Sequence, residues 1–341
     1  MTLLALLAAT HDSPTPPPPA SEVTPMPVTV PGVPAKAPWH MDAPLNIATY
    51  DGSNQVVHPS VVDFGGKWNG YRFWMVYTPY ADTGPGGTDA SIENPTIAAS
   101  NDCLTWAPIG PQPLVPHPTG GTTSNYNSDV ELHWNPESAR LELWWRSNYP
   151  GERLEHMHSP DGVTWSTKTR QTIPSATQIG WQAPCVVRVA ADQWLMFDRY
   201  DAGAGGHLRR STATSPEGPW SAPVECGQTA GSPDPRARNL WHAGITRAED
   251  GTLYALAHMY APQTSIDAAK STDNGLTWTW TTGVMNSQAG TWTERSLYRP
   301  CLVPHENGTH MRVWYTGQKS VRSGGLGYRL GYTELPLTVW Q

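Results

Sequence analysis

The sequence predicts an all-β protein: a five-bladed β-propeller preceded by an extended, proline-rich N-terminal arm. Three observations lead to this prediction: the composition, a recurring turn motif, and pairs of β-type segments between the turns. The 341 residues include 34 Pro, 31 Gly and 17 Trp but only 3 Phe. Proline and glycine disfavour helix interiors, whereas tryptophan and the β-branched residues suit a sheet. The composition therefore indicates many strands joined by many turns.

Charge and hydropathy exclude several classes of function. The chain has 22 Lys and Arg against 29 Asp and Glu and no basic stripe, so we expect no nucleic-acid partner. No apolar run reaches the roughly 18 to 20 residues of a transmembrane helix, so we expect no membrane span. The cysteines lack metal-ligand spacing and are expected to be mostly buried thiols. They are Cys103, Cys185, Cys226 and Cys301.

Residues 1–39 form the first predicted region, an apolar segment followed by the arm. The apolar run from Leu3 to Ala9 has no basic residue before it and resembles a signal peptide only in part. From Pro14 to Pro38 there are ten prolines in 25 residues, a density that favours polyproline II. Two interpretations stay open: a cleaved signal with a disordered linker, or an uncleaved anchor that docks into a larger assembly.

A turn motif recurs through the second predicted region, residues 40–341. It reads Ser-x-Asp-(Gly/Asn)-x-Thr-Trp or a close variant, and its tryptophans are spaced by 59, 55 and 58 residues. The Asp or Asn caps backbone N–H groups, the Gly supplies a positive φ, and the Trp can pack between neighbouring sheets. We therefore interpret these turns as structural. Their tryptophans are Trp106, Trp165, Trp220 and Trp278.

Strand pairs between these turns define five units. Each unit opens with a short apolar strand and continues with a second strand of β type, such as YRFWMVYT or RLELWWRS. Sheets repeated radially at this spacing are typical of a β-propeller. The segment LNIATY at 45–50 is expected to close the ring by pairing with the last blade. The predicted blades span about 58–115, 126–173, 181–226, 239–285 and 297–341.

The blade openings hold the candidate functional residues. In a propeller the starts of the innermost strands meet on one face around the central axis, so their side chains should converge on one pocket. Aromatic rings stack on the C–H faces of sugars while polar groups bind the hydroxyls, which predicts a sugar-binding site. The predicted ligand-binding residues are His58, Asp129, Gln182, His242 and Arg299, flanked by Tyr126, Trp181, Trp241 and Tyr298.

These openings resemble those of five-bladed propeller glycoside hydrolases, above all family 43 and more distantly families 32 and 117. In that family an Asp in the first blade is the general base, and a Glu in the third blade is the general acid. An Asp in the second blade tunes the pKa of the general acid, and a His in the fourth blade binds a cation. Asp129 with Val130 matches the second motif, and His242 in Trp-His-Ala-Gly matches the fourth loosely. The resemblance implies His242 as a metal ligand and room for Ca²⁺ or another cation in the central channel, although no cofactor is required.

Two positions depart from the family pattern. His58 stands where the base Asp is expected, and Gln182 stands where the acid Glu is expected. An inverting glycosidase needs two carboxyl groups about 6.5–9.5 Å apart, and glutamine cannot donate a titratable proton. The departures predict a degenerate site that binds sugar without catalysis. If catalysis remains, Asp129 and Glu93, in Glu-Asn-Pro, are the predicted catalytic residues.

A second resemblance concerns the stretches LNIATYDGSNQVVHPSV, WNGYRFWMVYTPY and ENPTIAAS. They resemble minor tail proteins of phages that infect actinobacteria. This implies a virion tail protein whose arm binds other tail proteins and whose propeller binds cell-wall arabinan or galactan during adsorption, without hydrolysis. Its location would be the virion tail or otherwise extracellular, with a secreted bacterial protein as the alternative.

Three other functions stay open. One is an active arabinofuranosidase or galactosidase with relocated carboxylates, and another is a purely structural tail component. Sialidases also contain such turns, but they need three arginines around a carboxylate, and only Arg299 opens a blade here.

Overall fold

Five sheets follow one another along the chain, which confirms the predicted all-β, five-bladed propeller. The computed structural model describes residues 38–82, 89–173, 182–201, 203, 205–260, 264–321 and 324–341. The predicted arm up to residue 37, and Trp181, lie outside the described residues, as does the side chain of Gln182. Each sheet is an antiparallel meander, and in blade 4 a short parallel strand is added at the edge.

The strand bounds are as follows. Blade 1 contains β1 (Val56–Trp68), β2 (Tyr71–Pro79), β3 (Thr96–Ser100) and β4 (Ala107–Pro108). Blade 2 contains β5 (Asn127–Asn135), β6 (Arg140–Ser147), β7 (Arg153–Ser159) and β8 (Thr169–Arg170). Blade 3 contains β9 (Gln182–Ala190), β10 (Gln193–Tyr200), β11 (His207–Ala213) and β12 (Val224–Glu225). Blade 4 contains β13 (Gly227–Gln228), β14 (Leu240–Arg247), β15 (Leu253–Met259), β16 (Ser265–Ser271) and β17 (Thr277–Asn286). Blade 5 contains β18 (Ser296–Pro304), β19 (His310–Lys319) and β20 (Gly327–Pro336).

The innermost strands form a closed ring. Strands β1, β5, β9, β14 and β18 each contact the next in that order, and β18 contacts β1. The second strand of each blade is buried along most of its length, as in β2 and β19. Because a blade is covered by its neighbours on both faces, these strands are continuous apolar and aromatic runs rather than alternating ones.

The core consists of apolar clusters between successive blades. One cluster joins blades 1 and 2, and similar clusters join 2 to 3, 3 to 4, 4 to 5 and 5 to 1. The turn tryptophans pack in these clusters: Trp106 lies between blades 5 and 1, and Trp278 between blades 3 and 4. The turns have the expected capping, since Asp102 Oδ1 accepts from the backbone N–H groups of Leu104 and Thr105 at 2.9 and 2.7 Å.

The segment that was expected to close the ring lies against blade 5 without forming a strand. The Leu45 N–H donates to the Leu330 carbonyl of β20 at 2.7 Å. The side chains of Leu45 and Ile47 are buried in the cluster between blades 5 and 1. The predicted strand is therefore wrong as secondary structure, because a single backbone hydrogen bond does not make a ladder.

Two further expectations concern the cysteines and membrane helices. The four cysteines are buried and carry free thiols, in agreement with the prediction of buried thiols. Among the described residues, no helix combines the length and the apolar character that crossing a membrane would require.

Candidate active site

Each innermost strand has a one-residue β-bulge near its start. On β1, His58 has φ of 56°, and on β5, Asp129 has φ of 55°. Non-glycine residues rarely adopt this left-handed conformation, and bulges are used to redirect side chains near functional sites. The bulges lie between Val57 and Ser60, Ser128 and Glu131, Gln182 and Cys185, Leu240 and His242, and Leu297 and Pro300.

A cavity of about 150 Å³ opens where these strands begin. It contains most of the predicted ligand-binding residues and also Glu93, the predicted substitute acid. Its polar and aromatic side chains come from blades 1, 2, 4 and 5. The lining residues are Val57, His58, Tyr80, Glu93, Tyr126, Ser128, Asp129, Arg146, Trp241, His242 and Tyr298.

Three side-chain atoms that could bind a metal ion lie close together in this cavity. The Nε2 atom of His58 lies 3.2 Å from Oδ1 of Asp129, and Nδ1 of His242 lies 3.7 Å from the same oxygen. The ligand atoms of the three residues all lie within 4.8 Å of one another. Both of these ring nitrogens are buried and make no hydrogen bond. Two buried nitrogens and one carboxylate oxygen therefore lie close together, and neither nitrogen has a hydrogen-bond partner.

The outer nitrogens of both rings, by contrast, have partners. His58 Nδ1 lies 2.9 Å from Oγ1 of Thr78, and His242 Nε2 lies 2.7 Å from the hydroxyl of Tyr298. Glu93 Oε1 also lies 3.4 Å from His58 Nδ1. Hydrogen bonds to the outer nitrogen are the usual means by which a protein fixes the orientation of a metal-binding histidine.

Electrostatics keep both imidazoles neutral. Burial lowers the pKa of His58 to about 4, although Asp129 opposes the shift. Burial lowers the pKa of His242 well below its ordinary value, and His58 and Arg299 add to this effect. Neutral imidazole is the form that binds metal, so both rings are ready to serve as ligands at neutral pH.

The two carboxyl groups of the cavity differ in their preferred charge. Burial and, secondarily, the charge of Asp129 together raise the pKa of Glu93 to about 8. Burial also acts to raise the pKa of Asp129, but His58 and Arg146 outweigh it, so the net pKa lies below the usual value. The cavity thus holds one ionised carboxylate, in Asp129, and one carboxyl group that favours its protonated form, in Glu93.

This donor set fits a divalent transition metal. Two imidazole nitrogens with one carboxylate suit Zn²⁺, Fe²⁺ or Mn²⁺, whereas Ca²⁺ prefers six to eight oxygen ligands. The Ca²⁺ that the sequence suggested is therefore a poor match to these residues. His242, the predicted metal ligand, belongs to the cluster together with His58 and Asp129.

Three predicted ligand-binding residues either do not line the cavity or have side chains that the structure does not describe. Arg299 is buried and does not line the cavity; its Nη2 donates to Glu131 Oε2 at 2.9 Å and to the Pro184 carbonyl at 3.1 Å. The backbone of Gln182 lies in β9, but its side chain is not described, and Trp181 is not described at all.

Several residues at or near the cavity were not predicted from the sequence. Arg146 contacts Asp129 at 3.4 Å and lies over the ring of Tyr126 at 5.2 Å. Arg146 and Thr78 are near the ends of second strands and pair in register with the residues before Asp129 and His58. The antiparallel register places the ends of the second strands beside the blade openings, and this register is not evident from the sequence alone.

Comparison with known proteins supports the fold and identifies carbohydrate-processing relatives. No protein-family model matches the chain. A segment of 158 residues is 34% identical to an A type blood N-acetyl-α-D-galactosamine deacetylase from Flavonifractor plautii, covering 44% of this chain. The match covers 19% of that relative, so the chain spans about a fifth of its length.

Solved structures with the same fold are also sugar-processing proteins. An N-acetylgalactosamine deacetylase from F. plautii, in complex with blood group B trisaccharide, superposes with a TM-score of 0.71 at 22% identity, covering 89% of this chain and 96% of the other. An α-L-arabinofuranosidase from Podospora anserina in complex with cellotriose gives 0.57 at 16% identity, covering 86% and 94%. The catalytic domain of a family 62 α-L-arabinofuranosidase from Coprinopsis cinerea gives 0.59 at 15% identity, covering 88% and 97%. At these identities the similarity establishes the propeller fold of the glycoside hydrolases.

These findings correct the main functional prediction. The prediction of a virion tail protein that binds cell-wall carbohydrate without hydrolysis is wrong, because the relatives are carbohydrate-processing enzymes. The stretches that suggested a tail protein fall in the ring-closing segment and in β1, β2 and β3. Their side chains pack the core or, as with His58, line the cavity, so they report on blade structure and not on tail assembly. The relatives give no support to tail-protein partners or a virion location.

Proposed function

We propose that this protein is a metal-dependent hydrolase that removes the acetyl group from an N-acetylated amino sugar of a glycan. The observation that carries the proposal is the convergence of His58 Nε2, His242 Nδ1 and Asp129 Oδ1, with both nitrogens buried and without hydrogen-bond partners. The 158-residue similarity to an N-acetylgalactosamine deacetylase supports it. Such glycans occur on cell surfaces, so the proposal places the protein outside the cell, as a secreted protein.

In this proposal His58, Asp129 and His242 hold the divalent ion. When bound, such an ion polarises the amide carbonyl of the substrate and lowers the pKa of water. The reaction adds water to the amide carbon and breaks the C–N bond, so acetate leaves and the nitrogen departs as the free amine of the sugar. The amine needs a proton as the bond breaks, and a chain residue must carry that proton.

Glu93 is the residue placed to move this proton. Its carboxyl group lines the cavity and contacts the outer nitrogen of His58, away from the ligand atoms. Because Glu93 favours its protonated form at neutral pH, it donates its proton to the leaving nitrogen and regains one from the water that the reaction consumes. Tyr126 and Trp241 flank the cavity and provide ring faces on which a sugar can stack.

A second candidate is glycoside hydrolysis in the same cavity. Glu93 and Asp129 contact opposite nitrogens of one imidazole, at 3.4 and 3.2 Å. Their separation therefore stays below the upper end of the roughly 6.5–9.5 Å used by inverting glycosidases. In this alternative Glu93 is the acid and Asp129 is the base. The two unpartnered histidine nitrogens favour the deacetylase, because a metal held by them together with Asp129 would occupy the carboxylate that a glycosidase needs as its base.

One assay separates the candidates. The protein is incubated with N-acetylgalactosamine and N-acetylglucosamine glycosides and with arabinan and galactan, and the release of acetate, free amine and reducing ends is measured. A deacetylase releases acetate and amine in equal amounts, loses activity with EDTA and regains it with Zn²⁺ or Mn²⁺. Asp129→Asn should be inactive, while His305→Ala, a histidine outside the cavity, should retain activity.

The other outcomes are equally informative. Release of reducing ends without acetate would replace the proposal with the glycosidase. If acetate release is unaffected by EDTA and by Asp129→Asn, the proposed metal cluster has no part in the reaction.

A further inference from the structure

Two aromatic side chains stand beside the cavity at the edge of blade 4. Trp241 lines the cavity, and the ring of Tyr260 lies 5.9 Å from the ring of Trp241 at an angle of 43°. Tyr260 is 59% exposed, the highest value among the large apolar side chains of the described residues. We call this pair the Trp241–Tyr260 shelf. Large exposed aromatic rings next to a pocket are typical of binding surfaces rather than of solvent-facing strand ends.

The shelf is held in place by its surroundings. The guanidinium group of Arg199 lies 4.5 Å from the ring of Trp241, on which it stacks. The indole N–H of Trp241 lies 3.3 Å from the hydroxyl of Tyr298, to which it donates. The backbone N–H of Tyr260 is within 3.2 Å of the carbonyls of Arg238 and Asn239. Pre-ordered aromatic rings lose little entropy on binding, so the shelf can contribute affinity at low cost.

The size of the cavity points to a use for the shelf. About 150 Å³ is well below the roughly 300–1,000 Å³ of pockets that enclose a drug-sized ligand. A single sugar unit with its acetamido group fills such a space, so the rest of a glycan must lie outside it. A chain that leaves the cavity on the blade 4 side passes over Tyr260.

We propose that the Trp241–Tyr260 shelf binds the sugar unit next to the reactive one, so the substrate is an oligosaccharide with the acetamido sugar at its end. This inference rests on the proposed deacetylase function. The neighbouring unit stacks the apolar face of its ring on Tyr260, while Trp241 contacts both units. The enzyme accordingly prefers a disaccharide to the matching monosaccharide.

The test compares matched sugars on the wild type and on three variants. The sugars are methyl N-acetyl-α-galactosaminide with N-acetyl-α-galactosaminyl-galactose, and N-acetylglucosamine with N,N′-diacetylchitobiose. KM and kcat for acetate release are measured, and binding is measured separately by calorimetry. For at least one pair the disaccharide should have the lower KM. Tyr260→Ala should shrink that advantage by about three- to tenfold, with kcat little affected. Tyr260→Phe, which keeps the ring, should preserve it, as should Leu104→Ala at a distant exposed position.

Each outcome decides one of the two proposals. If acetate is released but neither disaccharide is preferred, or if Tyr260→Ala leaves the preference intact, the shelf proposal is wrong and the deacetylase stands. If no sugar releases acetate but calorimetry shows a disaccharide preference that Tyr260→Ala removes, the shelf stands and the deacetylase fails. If no sugar is bound or processed, both are overturned.

Discussion

Two buried polar clusters in this propeller both combine histidine with a carboxylate, but they differ in whether these groups find hydrogen-bond partners within the chain. In blade 2, Glu142 is fully buried, and its two oxygens accept from Asn135, Arg140 and His156 at 2.7–2.9 Å. At the blade openings, by contrast, His58 Nε2 and His242 Nδ1 are equally buried and accept or donate nothing. Buried polar groups are nearly always paired. Both carboxylate oxygens of Glu142 are therefore satisfied within the chain, whereas the two central nitrogens remain without partners, as the proposed metal site requires.

The closeness of potential ligand atoms does not by itself distinguish the two clusters. Glu142, His158 and Glu217 also bring their ligand atoms within 4.8 Å of one another. Arg140, however, bonds both carboxylates and already supplies the positive charge. In this propeller the proposed metal site is therefore distinguished by donors that the chain leaves unsatisfied, and not by the number or spacing of those donors.

The largest effect should come from removing the shared oxygen of the central cluster. Asp129→Asn leaves the shape of the cavity but removes the only charged ligand, so metal affinity and acetate release should fall by about three orders of magnitude or more. Bound metal is measured by mass spectrometry of the dialysed protein, together with kinetics. If Asp129→Asn keeps one equivalent of metal, the central cluster is not the metal-binding site.

The matching change in the satisfied cluster should act on stability instead. Glu142→Ala leaves Arg140 and His156 without their carboxylate, so the free energy of unfolding should fall by about 3 kcal/mol. Metal content and kcat per folded molecule should stay at the wild-type level. Urea denaturation gives the first quantity and metal analysis the others. A loss of metal with unchanged stability would mean that the roles of the two clusters are reversed.

The fold was predictable because its signals are local. Each turn that ends in Trp106 or Trp278 contains its own capping Asp within a few residues, so turn chemistry and spacing together count the blades. The ring-closing segment around Leu45 was less predictable because its contacts with Leu330 depend on closure of the whole ring.

The site was predictable only in part. Asp129 and His242 were found because they open innermost strands. His58 was found too, but it was interpreted as a lost Asp because a comparison of motifs position by position cannot show that residues 58, 129 and 242 meet at one point. The absence of partners for a buried nitrogen is a property of the folded chain. Tyr260 was missed because its role depends on exposure, which no pattern in the sequence displays.

A smaller effect should follow from removing support for one histidine. Tyr298→Phe deletes the hydroxyl that lies 2.7 Å from His242 Nε2 but keeps the ring. Metal affinity should fall by about 10- to 100-fold, while the free energy of unfolding falls by about 1–3 kcal/mol, because the buried His242 Nε2 loses its partner. Competition with a chelator measures the affinity. An unchanged affinity would show that the outer nitrogens do not orient the ligands.

The smallest expected effect tests a third histidine, at the other end of the strand that carries Asp129. His133 packs edge-on against Trp194 at 5.1 Å, and burial, assisted by Arg188 and opposed by Glu142, lowers its pKa to about 4. The unfolded chain binds this proton near pH 6.5, so the folded state is favoured above that pH and loses stability as the pH falls towards 4. Between pH 6.5 and pH 5 wild type should therefore lose about 2 kcal/mol more than His133→Gln does. Urea denaturation of both proteins at the two pH values measures the difference. Equal losses would mean that this imidazole, unlike those of the central cluster, is not held in its neutral form by the fold.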